Sequence, residues 1–326
     1  MSGDQGPEVA VRGVFQALRS SDVSVIFVGE PDILQPLISR FPYDESRVLL
    51  EPAHETIGME DSPSRAVRKR PLSSVVVAAR LVREGRASGF FSPGNTGATM
   101  AAALLEMGRL KGVARPAVAT LLPREDGEQT ILMDSGANVD CKPAWLAQFA
   151  VMGETYAREI LGKPNPSIGV LSNGKESVKG NKLSRSAYQR LAKLPYNFIG
   201  NVEGGDLYGG EKFADVVVCD GYTGNIVLKA TEGLARSFFA ALQTGVSESQ
   251  LAAAGAFLLK GALDSIKKRM DAAEYGGAPL LGVRGACLIG HGDSSVKAYK
   301  NAVLSAVRFA ERSLDAKIAA NIRRFT

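Results

Sequence analysis

Cysteine and histidine are scarce in this chain. Its 326 residues hold three cysteines, Cys141, Cys219 and Cys287, which lie far apart in or beside apolar runs and lack CxxC spacing. That pattern argues against a disulfide framework or a zinc site and predicts buried, reduced thiols. Two histidines, His54 and His291, leave few candidates for a histidine metal centre or a Ser/His/Asp triad. Long apolar runs are missing too: no stretch approaches the roughly 18 uninterrupted apolar residues of a membrane-spanning helix. The opening MSGDQGPEVAVRG lacks the regions of a signal peptide, so a cytoplasmic protein is expected. Aromatics are only 7% and no nucleic-acid motif interleaves them with basic residues, so nucleic acid is not an expected partner. Neither a GxGxxG fingerprint nor a carboxylate cluster suited to Mg²⁺ is present, so a decarboxylating dehydrogenase lacks support in the sequence.

What is present is a chain 45% hydrophobic, enough for a well-buried core. Apolar strand-like runs and helical periodicities alternate along most of it: strands at 23–28, 47–50, 87–91, 118–122, 130–133, 167–171, 197–202 and 216–218 and one last strand in the run from Leu280, with helices between them, one of them near Pro63 to Lys69. The segment PREDGEQ joins two strands as a hairpin. No repeat or linker interrupts the pattern, so 1–326 reads as one α/β domain with a helical protrusion near 236–275. The net charge of +5 favours acidic partners, with a merely solubilising surface as the equal alternative.

The chain is organised around VVVCDGYTGNIVL, 216–228, where a β-branched run meets a Gly/Asp/Asn loop and a helical pattern begins. A helix start offers unpaired N–H groups and a positive dipole end, and Gly221 and Gly224 permit close approach, so an anion is the natural guest. Three more strands end in polar, glycine-bearing loops: Gly94-Asn95-Thr96-Gly97, Asp134 to Asp140 with Asn138, and the loop with Asn173 and Lys179. Ligands bind beyond the carboxyl ends of strands in open parallel sheets, so these four loops are expected to converge on one pocket. Beyond Leu228 a helical region runs from Ala230 to about Met270, with a break near Gly245 to Glu248. Within it, Leu251 to Met270 reads as an amphipathic helix, with Leu258, Leu259 and Ile266 on its apolar face. Packing against the core or a dimer partner is the ordinary reading of that face, and membrane contact the sharper one.

Gly3-Asp4-Gln5-Gly6-Pro7, Gly94-Asn95-Thr96-Gly97-Ala98, Asp134-Ser135-Gly136-Ala137-Asn138-Val139-Asp140-Cys141, Val178-Lys179-Gly180-Asn181, Asn201-Val202-Glu203-Gly204, Cys219-Asp220-Gly221-Tyr222-Thr223-Gly224-Asn225, Tyr275-Gly276-Gly277-Ala278 and His291-Gly292 occur in this order. Together they resemble the PlsX family of acyl-carrier-protein:phosphate acyltransferases across nearly the whole chain. The resemblance implies a three-layer α/β/α fold with a mostly parallel sheet, like isocitrate dehydrogenases and phosphotransacetylases. It also implies a homodimer without metal or other cofactor that makes acyl-phosphate from acyl carrier protein and orthophosphate. Peripheral attachment to an anionic membrane surface, and delivery of product to a membrane glycerol-3-phosphate acyltransferase, complete that expectation. Lys179 is then expected to hold phosphate or the developing oxyanion and Asn225 to donate to the same centre. Asn95, Thr96, Gly97, Asn138, Thr223 and His291 are expected around the phosphate, with Asp134 and Asp220 orienting the donors. Three departures from the pattern stand out: the family's first strand has no counterpart before Gly3-Asp4, being either absent or lost to a start placed late, Pro93 replaces a small residue, and Lys175 replaces an acidic one. Rival readings are a phosphotransacetylase acting on acyl-CoA, a decarboxylating dehydrogenase, and a non-enzymatic membrane scaffold.

Overall fold

The computed structural model describes residues 3–210 and 213–325. Among the described residues ten strands form, most of them where β-branched and aromatic residues cluster between turn signals. They are β1 (Val25–Gly29), β2 (Val48–Pro52), β3 (Gly89–Ser92), β4 (Ala117–Pro123), β5 (Gln129–Met133), β6 (Ser167–Leu171), β7 (Asn197–Val202), β8 (Val216–Val218), β9 (Ala278–Leu281) and β10 (Ala286–Ile289). β1 and β2 make a separate parallel pair, and the other eight form one sheet in the order β3-β10-β9-β4-β5-β8-β6-β7. Of the seven neighbouring pairs in this sheet, β3–β10, β5–β8, β8–β6 and β6–β7 are parallel. The hairpin β4–β5 and the pairs β9–β10 and β4–β9 are antiparallel. Where the sequence reads one last strand near Leu280, there are two, because Gly282 and Gly285 at positive φ turn the chain back.

Alternation along the central strands builds the layers. Val216 and Val218 of β8 and Ile131 and Met133 of β5 point into a cluster with Phe149, Met152 and Tyr156 of the helix Pro143–Glu159. Their neighbours Val217 and Leu132 point the other way, towards Val227 and Leu228 of the helix Gly221–Ser247. Each strand is thus apolar on both faces, as a sheet covered by helices on both sides requires. The helix Pro63–Lys69 forms as expected and buries Ala66 and Val67 in a third cluster.

The helix start expected after β8 falls at Gly221, inside the Gly/Asp/Asn loop, because the Asp220 carboxylate caps it there, and the helix runs unbroken into the helical region expected from Ala230. From Asn225 to Tyr275 no residue whose burial is described is buried. The expected single helix Leu251 to Met270 is two, Gln250–Leu258 and Lys260–Met270, separated at Leu259. Gly255 and Gly261, weak helix formers, flank this joint. Leu258 is 83% exposed, Leu259 60% and Ile266 47%, so the three residues expected at a membrane are bare but do not share one continuous helical face.

Candidate active site

β5 and β8 are adjacent and parallel, so the loops that follow them emerge side by side. The Cys219 N–H donates to the Met133 carbonyl at 2.8 Å and the Asp134 N–H to the Cys219 carbonyl at 3.2 Å, carrying the pairing just past the strands. Asp134 is fully buried, and its loop winds around its carboxylate. Oδ1 accepts from the backbone N–H of Val118 (3.1 Å), Gly136 (3.1 Å) and Ala137 (2.9 Å). Oδ2 accepts from the N–H of Asn138 (2.7 Å) and from its side-chain amide (2.8 Å). Burial raises the Asp134 pKa above the ordinary carboxylate range, and the bonds from Ala137, Asn138, Val118 and Gly136 pull against it.

The start of the long helix lies flat against this loop. Asp220 caps it, accepting from the Thr223 N–H at 2.8 Å and its hydroxyl at 3.0 Å. The Asn138 carbonyl accepts from the Gly221 N–H at 2.7 Å. A Cβ on Gly221 would sit 2.7 Å from that same carbonyl oxygen, and a Cβ on Gly224 would run into the Asp134 carbonyl. Glycine is needed at both positions because backbone meets backbone there. Asn225 follows, exposed, its amide oxygen 3.6 Å from where a Cβ of Gly136 would be. Among the described residues its side chain makes no hydrogen bond. Burial pushes the Cys141 thiol up to about 12 and the Cys219 thiol well above its usual value, so neither supplies a thiolate.

β6 is also parallel to β8, so the loop bearing Lys179 leaves the same edge of the sheet. There the Lys179 N–H donates to the Glu176 carbonyl at 3.0 Å, while the exposed Lys179 side chain has no ion pair among the described residues. The loop after β3 differs. Its strand runs opposite to β5, β6 and β8, as the three antiparallel pairings between them require, so only three of the four loops leave carboxyl ends at one edge. Asn95 caps the helix Thr96–Ala102 through the Ala98 N–H at 3.0 Å and donates to the carbonyls of Gly58, Met59 and Asp61. Thr96 is exposed, and Gly97 lies against Pro63. Ala137 packs on the same apolar cluster as Ala98 and Ala102, which links this helix to the Asp134 loop. His291 stands apart, its Nε2 3.5 Å from Oε1 of Glu232 on the long helix.

The side chains of Asn138, which also donates to the Pro116 carbonyl at 2.8 Å, of Asp220 and of Thr223 are therefore engaged in bracing the junction. Asn225 and Lys179 are not. Two polar residues beneath the Lys179 loop are given no role by the sequence: Ser172, just past β6, and Asn201 in β7. Asn201 falls in the block Asn201-Val202-Glu203-Gly204, but the block by itself does not say what its side chain does.

The architecture is the α/β fold of the phosphotransacylases and their dehydrogenase cousins. A phosphotransacetylase from Streptococcus pyogenes aligns over 94% of this chain and 91% of its own with a TM-score of 0.64 at 18% identity. The 4-hydroxythreonine-4-phosphate dehydrogenase of Klebsiella pneumoniae aligns over 93% and 95% with a TM-score of 0.50 at 11% identity. In sequence, residues 1–317 match the family described as fatty acid synthesis protein. A phosphate acyltransferase of Leptospira biflexa is 54% identical over 318 residues, 98% of this chain and 94% of that protein. The chain belongs to this phosphate acyltransferase family, and it is an acyltransferase of fatty acid and phospholipid synthesis.

Proposed function

We propose that the enzyme transfers a long-chain fatty acyl group from acyl carrier protein to orthophosphate, giving acyl-phosphate for phosphatidic acid and phospholipid synthesis. The observation that carries this reading is selective commitment. At the edge shared by β5, β6 and β8 the side chains of Asp134, Asn138, Asp220 and Thr223 brace the junction, while the Asn225 amide and the Lys179 ammonium are left for a ligand. Orthophosphate near neutral pH is already a competent nucleophile, so no covalent enzyme intermediate, metal or cofactor is called for. A phosphate oxygen forms a bond to the thioester carbonyl carbon and the carbonyl oxygen becomes an oxyanion; the carbonyl then re-forms as the C–S bond breaks, and the carrier sulfur takes up the proton given up by hydrogen phosphate and leaves as a thiol. Lys179 holds phosphate by charge, and Asn225 donates to the oxyanion. Thr96, Gly97 and Asn95 border the phosphate from the neighbouring helix start, and His291 stays at the rim.

The bare length of the long helix, where Leu234 is 73% and Phe238 59% exposed, suits a homodimer contact. The exposed Leu258, Leu259 and Ile266, beside Lys260, Lys267 and Lys268, suit peripheral attachment to an anionic membrane from the cytoplasmic side, where a membrane glycerol-3-phosphate acyltransferase would receive the product. Purified protein, long-chain acyl-carrier protein and phosphate should yield acyl-phosphate trapped as a hydroxamate by hydroxylamine. Hydroxamate formed from acyl-CoA but not from the acylated carrier would overturn the choice of donor.

A further inference from the structure

Asn201 lies in β7 and is 1% exposed, yet half of its amide goes unused. Its nitrogen donates to the Glu176 carbonyl at 2.7 Å. Among the described residues its oxygen has no partner, and neither has the buried hydroxyl of Ser172. The orientation of the amide is set by chemistry, since only its nitrogen can donate to a carbonyl. Leaving a buried polar atom unpaired is destabilising, so a residue kept there only for packing would be better apolar. The contact it does make is specific, because the Glu176 carbonyl that receives Asn201 also receives the Lys179 N–H at 3.0 Å. One carbonyl oxygen thus joins the rigid strand to the turn that carries the lysine. A second tie lies close by: Lys175 pairs with Asp206 at 3.1 Å, and Asp206 accepts from the Glu203 N–H at 3.1 Å just beyond β7.

We propose that Asn201 is a positioning residue for phosphate, acting through Glu176 to hold the Lys179 backbone where the ammonium meets the nucleophile. The inference rests on the reading of Lys179 as the phosphate-holding charge. The side chain touches neither substrate, and its effect runs through the loop alone. A tie to the lysine turn and not to the acyl site predicts a selective defect.

Steady-state kinetics of Asn201→Ala, Asn201→Asp, Lys179→Ala and the Asn201→Ala/Lys179→Ala pair test this. Asn201→Asp keeps the shape of the side chain and removes the donor. Both Asn201 variants should raise the phosphate KM about 10-fold while leaving the KM for the acyl donor unchanged. In the pair, loss of Asn201 should add nothing to loss of Lys179, because two residues acting through one ammonium are not additive. A folded Asn201 variant with wild-type phosphate KM, or losses that multiply in the pair, would overturn the proposal. Collapse of both Asn201 variants in thermal melts would also overturn it, making Asn201 a folding residue. A crippled Lys179→Ala beside a normal Asn201→Ala removes only this inference, whereas a Lys179→Ala enzyme with wild-type phosphate kinetics removes the lysine reading and the inference together.

Discussion

The helix Gly221–Ser247 has two unlike ends. Its first turn is capped by Asp220, bonded to the Asn138 carbonyl and so close to the Asp134 loop that Gly221 and Gly224 have no room for a side chain. From Asn225 onward nothing on it is buried. Backbone-to-backbone contact at one end fixes where the Asn225 amide points, and the rest of the helix remains open to a partner. Tight packing suits a group that must be placed to within a fraction of an ångström, whereas bare apolar side chains suit surfaces completed by another molecule.

The sharpest way to break this contrast is to pry the locked end loose. Gly224→Ala drives a methyl group into the Asp134 carbonyl, and it should lower unfolding stability by about 2–3 kcal/mol and abolish most turnover. A melting curve and activity both close to wild type would show that the junction is not tight. Asn225→Ala leaves the lock intact and removes only the exposed amide, so kcat should fall by about 10² to 10³ in a protein that melts normally. Lys179→Ala should raise the phosphate KM and lower kcat together, by about 10²-fold in kcat/KM for phosphate. Unaltered phosphate dependence in that variant would leave Thr96 and Gly97 as the phosphate contacts to test next.

Smaller effects belong to the open surface. With a net charge of +5 meeting an acidic carrier, turnover at limiting acyl-carrier protein should fall a few-fold as salt rises, while saturating turnover holds. A flat salt profile would argue against electrostatic docking. The smallest effect on solution turnover, close to none, is expected from Leu258→Glu with Leu259→Glu. The same pair should release the enzyme from anionic vesicles in a flotation assay. If vesicle binding survives, the bare joint at Leu259 serves some other contact.

Much of the architecture is legible in residue order. Pro63–Lys69, Ser167–Leu171 and Asn197–Val202 form at the expected bounds, because a proline at a helix start or a β-branched run between turn residues acts locally. The β9–β10 turn is less legible, since the strands are four residues each and no alternation can build up over so short a run. Strand direction is not local at all. Nothing near Asn95 tells that β3 runs against β5, so the shared edge of all four loops follows only if every strand is taken as parallel.

At the site, residue types and spacing alone mark the Gly/Asp/Asn loops, the glycines a close approach would need and Lys179 as a cation in one of those loops, while the family resemblance singles out Lys179 and Asn225 for roles in the reaction. They cannot say which amides are already spoken for. Asn95, Asn138 and Asn225 are chemically the same side chain, each within two residues of a glycine in the stretch that follows a strand. Asn95 is held by the carbonyls of Gly58, Met59 and Asp61, and Asn138 by Pro116 and Asp134. Asn225 is left open. All of those partners but Asp134 come from segments distant in the chain, and a hydrogen bond has meaning only between atoms brought to about 3 Å, so the division between bracing and reacting amides is decided by the tertiary structure.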